Sequence, residues 1–348
     1  MALTKVSTGV VDMSQDTGGL IIPKGTTAQQ PTCTAANLGS IRENTTKNKV
    51  EVCTANAGTP TWQFLEEAGT SFTPLTVDYL VVAGGGAGGH SYGASGSGGG
   101  AGEFLYKTSQ TLTTGSLGYS VIVGAGSLAQ IGGAGYPDFA PNGGDSTFNL
   151  DVTNGGAGGS NSGAYNPGAS GGSGSGGVLA RIGGTSVKTA GGLGNNGGTG
   201  SLTASGYGSG GGGGALTAGA RGGGAVGGNG GDGETNSITG TPVVYSAGGG
   251  GGRYLGNNAQ GGSSGIGGNP TSGTPTTPTN YGCGGAGGSY ASGIAQQGGN
   301  ASNGVVILRY PAAYTASSTL TYSDTIVPGS TDRVIVITGT GTGTVTFA

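Results

Sequence analysis

Glycine arrives in runs across the middle of this chain: Gly84–Gly86 and Gly88–Gly89 around one alanine, five in a row at 210–214, and five more at 248–252. A run without Cβ atoms has no side chains to bury and loses the most backbone entropy on ordering, so neither a helix nor an ordinary core is open to it. The chain holds 88 glycines and 13 prolines in 348 residues, a composition usually read as low complexity. Yet only 8% of residues are charged and the net charge is −3, so charge-driven disorder is a poor description. Apolar residues reach 33%, much of it alanine, too little for a conventional core throughout. Backbone hydrogen bonding between segments, or burial between subunits, must therefore order the glycine. Collagen is excluded because no Gly-X-Y period exists. No fixed repeat length supports a solenoid. A polyproline-II strand has three residues per turn and no internal hydrogen bonds. Made of glycine, such strands can approach until their backbones bond to each other. The expectation is a bundle of polyglycine-II strands joined by loops.

Two composition shifts divide the chain into 1–75, with ordinary sequence, 76–311, the glycine-rich body, and 312–348, rich in Thr, Ser and Val. In the first part, Ser40–Arg42 and Lys49–Cys53 read as strands around an Asn-rich turn, a hairpin pattern. Trp62, Phe64 and Leu65 form its only dense apolar-aromatic cluster. Trp62 is expected to anchor a small β-module, with an inter-subunit contact as the alternative. The body is bracketed by its strongest strand signals, Val77–Ala83 and Val305–Tyr310, natural neighbours in one sheet. Glu103–Lys107, Leu117–Val123, Ser146–Leu150 and Val243–Tyr245 add short strands, giving a small antiparallel β-core at the base of the body. The tail reads as further strands at Leu320–Tyr322, Thr325–Val327, Val334–Thr338 and Thr344–Phe347. The fold class expected is mainly β with glycine-rich, irregular segments and essentially no helix.

Little in the sequence supports chemistry. Gly84, Gly86 and Gly89 follow a strand with the spacing of a dinucleotide fingerprint, but that motif must open a helix and 90–96 cannot form one. No glycine loop ends in Gly-Lys-Ser/Thr. His90 is the single histidine, which removes histidine triads and zinc clusters, and it reads as a solvated loop residue. Gly227–Asp232 resembles one calcium-binding nonapeptide but occurs once, so it reads as a loop. The pairs Asp145/Asp151 and Asp232/Glu234 read as solvated carboxylates. No cofactor, metal or enzymatic activity is expected. The near-neutral charge argues against nucleic acid, and no apolar run is long enough to span a membrane. The first residues lack the apolar region of a secretory signal. The three cysteines, Cys33, Cys53 and Cys283, are expected as free buried thiols, with a Cys33–Cys53 bridge as the alternative.

The aromatics are more informative. Tyr92, Tyr136, Phe139, Tyr165, Tyr207, Tyr254, Tyr281 and Tyr290 mostly stand singly among Ser, Gly and Asn. Recognition surfaces are composed this way, rigid aromatic area set among adaptable polar contacts. The alternative is that each ring fills a gap between glycine strands.

Two stretches also resemble known families. Val77–Gly86, closed by Gly304–Pro311 and with Asn142-Gly143-Gly144-Asp145-Ser146-Thr147-Phe148 between them, resembles the glycine-rich domains of tail-fibre and other virion proteins of bacterial viruses, marine ones especially. Gly39–Val52 with Trp62 beyond is similar to a short β-module of phage fibres, although Glu43 and Cys53 stand where aromatics are usual. The resemblance implies a virion structural protein made in the host cytoplasm, a tail fibre or receptor-binding adhesin acting in host attachment. It also implies a homotrimer that joins other virion proteins through residues 1–75 and meets a host surface glycan or protein. A capsid decoration or neck/collar fibre is the alternative role, and a polysaccharide depolymerase a more distant one.

Overall fold

The computed structural model describes residues 22–56, 59–64, 74–129, 138–162, 166–204, 206–254, 259–271, 273–291 and 294–348. The chain is mainly β, 33% strand and 3% helix, in several antiparallel sheets. The single α-helical turn among the described residues, Gly262–Gly265, carries left-handed φ angles at Ser263 and Ser264 (49° and 57°) and so is no ordinary helix. The chain divides into two compact units, at residues 1–72 and 73–348.

The first unit holds a four-stranded sheet in the order β1 (Lys24–Gly25), β2 (Ile41–Asn44), β3 (Lys49–Asn56), β4 (Thr59–Phe64). The expected hairpin is β2–β3, paired from Ile41↔Val52 to Asn44↔Lys49, and Asn48 closes its turn with φ 53°. Arg42 and Glu51 form a buried ion pair at 3.3 Å on this hairpin. Asn44 Nδ2 donates to the same carboxylate at 3.2 Å. Two cysteines correct the expectation of free thiols: Cys33 and Cys53 are disulfide-bonded, with Cα atoms 5.4 Å apart. The bridge forms because the segment before β2 lies alongside β3. Trp62, half-buried, pins that segment by donating from Nε1 to the Pro31 carbonyl at 2.6 Å. Leu65 lies outside the described residues.

The second unit begins with two five-stranded sheets. One runs β16 (Tyr322–Ile326), β17 (Asp332–Ile337), β14 (Val305–Pro311), β5 (Pro74–Val82), β6 (Phe104–Thr113). The other runs β15 (Ala316–Ser318), β18 (Gly341–Phe347), β7 (Gly115–Val123), β8 (Ser146–Phe148), β9 (Asp151–Thr153). The two bracketing runs do pair, antiparallel, from Val305↔Val82 to Arg309↔Asp78. Residues 316–347 complete both sheets, through β14–β17 and β18–β7. Val81, Val121, Phe148, Leu308, Ile335 and Phe347 bury one face of the first sheet against the second. Leu80, Val82, Val305 and Ile307 bury its other face under Ala215, Ile238 and Tyr245. Burial on both faces explains why β5 and β14 read as continuous apolar runs. The short hairpin β10 (Glu234–Asn236) with β11 (Val243–Tyr245) helps form that cover, and β12 (Tyr290–Ala291) pairs antiparallel with β13 (Ile294–Ala295).

Beyond the sheets the glycine segments form a backbone-bonded bundle. Successive N–H groups of 84–89 donate to Gly144, Ser302, Gly100, Pro141, Gly299 and Ser97. The partner thus recurs every third residue, and it steps back by three each time. Carbonyls of the same segment accept from Gly156 and Gly159, from Gly285 and Gly288, and from Ser127. Six different segments therefore surround one strand. The strand 97–102 repeats the pattern with 157–160, 210–213, 282–285, 86–89, 173–176 and 249–252. Three-residue rotation with six neighbours is how a polyglycine-II bundle satisfies every peptide group. Glycine is required by distance. A Cβ on Gly86 would stand 2.1 Å from the Ala157 carbonyl oxygen, and one on Gly212 only 1.9 Å from that of Gly99.

Candidate functional surface

Strand direction sorts the connecting loops into two groups. Residues 84–89 run outward from β5, 97–102 run back into β6, and 154–160 and 297–304 do the same for β9 and β14. The turns at 90–96, 178–182, 201–204 with 206–207, 221–226, 253–254, and 289–291 with 294–296 therefore lie at the end of the bundle away from the sheets, the loop end. Those at 187–192, 215–217 and 233–247 lie against the sheets.

The sheet end is fastened by Glu103, which the sequence places at the start of a strand and at the spacing of a dinucleotide fingerprint's acidic residue. Its carboxylate is fully buried. Oε1 accepts from the Thr189 amide and hydroxyl at 2.7 and 2.6 Å, and Oε2 from the Asn154 amide and Nδ2 at 2.8 and 3.0 Å. The other carboxylates weighed as catalytic pairs also hold structure. Asp145 accepts from the Gly155 amide at 2.8 Å, and Asp232 from the Ser263 amide. Asp151 binds Lys107 at 2.7 Å and accepts the Tyr79 hydroxyl proton. Burial works to raise its carboxyl, but the hydrogen bonds from Lys107 and Tyr79 and the Lys107 charge hold it below the usual range. All six N–H groups of 84–89 are spent on protein carbonyls, so the dinucleotide-like glycines have none left for a pyrophosphate. Burial pushes the Cys283 thiol up to about 11, against hydrogen bonds that lower it, which keeps it unreactive.

The loop end carries most of the singled-out aromatics. Tyr254 and Tyr290 stack with ring centres 5.5 Å apart and planes 7° off parallel. Tyr207 meets Tyr254 edge-on at 4.8 Å. All three are half-buried, so the row is both packed and accessible. Tyr207 also rests on Ala94, Val178 and Leu179. Its carbonyl accepts from the Ser95 hydroxyl. Tyr92 is 55% exposed. Phe139 bridges to Ser160 on a neighbouring strand. Tyr281 lies at the sheet end instead, packed beside Tyr245 on the covered face of the first sheet. It fills a gap there. Tyr136 and Tyr165 lie outside the described residues. His90 corrects the expectation of a solvated residue: it is buried, because its backbone is drawn onto the next strand by a 2.8 Å bond from its amide to Asn161 Oδ1.

The fold thus defines a class: a β-sandwich from which a polyglycine-II bundle projects its loops. The glycine-rich domain family matches residues 54–311, and the chain belongs to that family. No curated protein matches the chain.

Proposed function

We propose that this chain is a structural protein of a bacterial virus, a tail fibre or receptor-binding adhesin, and that the loop end of its glycine-rich bundle meets the host surface. The observation that carries the reading is the gathering of Tyr92, Phe139, Tyr207, Tyr254 and Tyr290 on loops at one end of a body otherwise poor in side chains. A backbone-bonded bundle holds such loops rigidly, so rings and small polar groups can bind without a large ordering cost. Residues 1–75 would attach the chain to other virion proteins and join three copies, an idea resting on their likeness to phage-fibre modules. Several copies would turn weak single contacts into firm attachment by avidity. The action is binding, with no reaction assigned.

Immunogold labelling of particles that carry the chain tests the role. Label at tail fibres, together with loss of cell adsorption in a Tyr207→Ala/Tyr290→Ala variant, is the expected outcome. Label on the head shell would replace attachment with decoration. Light scattering of the purified protein tests the assembly, with three times the 32.7 kDa chain mass expected.

A further inference from the structure

The charges of the body are partitioned along its strands. Arg181, Arg221 and Arg253 all fall on loop-end turns, the first two exposed and the third half-buried. Asp145, Asp232 and Glu234 all fall at the sheet end, where Lys188 is the one cation on the turns named above. Asp138 is the one acidic residue on the loop end among the described residues. A chain of net charge −3 therefore carries a cationic end.

The arginine-bearing turns are neighbours of the tyrosine row. The Gly200 amide donates to the Arg181 carbonyl at 2.9 Å, and the Gly222 amide to Thr199 at 2.9 Å. The Tyr254 amide donates to Ala225 at 3.0 Å and the Tyr290 amide to Arg253 at 2.9 Å. Arg181 stands immediately after a strained turn, where Leu179 and Ala180 hold φ of 48° and 62° without being glycine. Strain of this kind persists only where the surroundings impose it. Here the buried Leu179 side chain, packed with Val178 and Ala94, fixes the turn and so the place from which Arg181 projects.

We infer that the loop end binds an anionic saccharide chain, with Arg181 and Arg221 on its carboxylate, phosphate or sulfate groups and the accessible edges of the Tyr207–Tyr254–Tyr290 row along its sugar rings. The guanidinium fork matches planar and tetrahedral oxyanions in pairs of hydrogen bonds. Packed rings present their apolar edges side by side with polar hydroxyls, suited to an amphiphilic sugar. Ser, Thr and Asn of the same turns supply neutral partners. The inference rests on the attachment reading above and narrows it to one class of ligand.

Binding of the full-length protein to immobilised alginate and dextran sulfate tests it, with neutral dextran and polyglutamate as controls. Dextran lacks the charge and polyglutamate lacks the sugar. The expected result is binding to at least one anionic saccharide, at least about tenfold tighter than to either control, and weakened by salt as exposed charge contacts are. An Arg181→Ala/Arg221→Ala double variant should lose at least about tenfold, because charge-assisted bonds are the strong ones. Lys47→Ala/Lys188→Ala makes the same change of net charge elsewhere and should stay within about twofold. Equal thermal midpoints of the two variants show that both are folded. The inference is overturned if neither anionic saccharide binds, if polyglutamate or dextran binds as well, or if binding survives the double arginine change. Adhesion to host cells separates the two readings. Cells bound equally by wild type and the arginine variant would leave attachment standing and remove the saccharide. Dextran sulfate bound without any cell adhesion would do the reverse.

Discussion

Replacing Gly99 by alanine tests whether strand packing, rather than side-chain burial, holds the body together. A Cβ at Gly99 would lie 2.1 Å from the Gly86 carbonyl oxygen and 2.6 Å from that of Ala87. Carbon and carbonyl oxygen approach to about 3.3 Å, so the strands must part by roughly 1 Å. Both neighbours are backbone and cannot rotate aside. The Gly99 amide bonds Gly285 at 2.9 Å, its carbonyl accepts from Gly249 at 3.0 Å, and Gly86 bonds Gly100 and Gly285 at 2.9 Å each. A 2.9 Å bond lengthened by about 1 Å is no longer a hydrogen bond. Each buried peptide group left without a partner costs about 1–3 kcal/mol. Two or more lost bonds give a destabilisation of about 4 kcal/mol or above, much of the ~5–15 kcal/mol that holds a domain together. Gly223→Ala is the control, since no atom lies within 4 Å of its Cβ position. It should change stability by less than about 1 kcal/mol. Denaturant unfolding followed by tyrosine fluorescence reads the second unit, while Trp62, the single tryptophan, reports the first. A Gly99→Ala midpoint equal to that of Gly223→Ala would refute the packing argument.

Other perturbations follow from the same contacts. Glu103→Gln places an amide against donors from Thr189 and Asn154, and should cost about 2–4 kcal/mol in denaturant unfolding through buried donors left unmatched. Ala180→Gly relieves a left-handed alanine on an exposed turn and should stabilise the protein by about 1 kcal/mol, raising its melting temperature. Burial first, then the Asp324 hydrogen bond, pushes Tyr310 up to about 12, and burial pushes Tyr245 up to about 12. A raised folded pKa gives stability that is complete below the unfolded value near 10 and is lost as pH climbs toward 12. An alkaline titration should therefore unfold the second unit between those values. Asp151 has the opposite sign: its lowered pKa gives stability present above the unfolded value near 4 and lost as pH falls below it. Acid unfolding should begin there and be blunted in Lys107→Met. Cys283 should resist thiol reagents at neutral pH and react only when the chain is unfolded, a free readout of opening.

The sheets were legible in the sequence because their strands are apolar in runs. Val77–Ala83 and Val305–Tyr310 are buried on both faces, and that leaves a continuous signal. The bundle was legible in kind but not in connection, since which glycine meets which depends on contacts with no side chain to mark them. The disulfide is hidden in the sequence because its closure depends on Trp62 holding the segment at Pro31 beside β3, a tertiary fact. The burial of His90 is hidden for a similar reason: a loop composition conceals the bond to Asn161 that draws it inward. The arginines are scattered along the chain. Only strand direction brings Arg181, Arg221 and Arg253 to one end, together with Tyr207, Tyr254 and Tyr290.

That segregation follows from how the body is held. In the bundle a side chain larger than a methyl or hydroxymethyl group has almost nowhere to go, as the 1.9–2.1 Å approaches at Gly86, Gly99 and Gly212 require. Larger residues are forced to the two ends of each strand. At the sheet end they are claimed by structure: Glu103 ties two loops, while Tyr245 and Tyr281 cover the first sheet. The loop end, by contrast, gathers Arg181, Arg221 and Tyr92, side chains that stand exposed and whose size and charge the bundle does not use. A substitution there leaves the interstrand hydrogen bonds intact, whereas one at a buried glycine does not. Loop-end chemistry can therefore change freely over a fixed body, which is what a surface that must follow a changing partner needs.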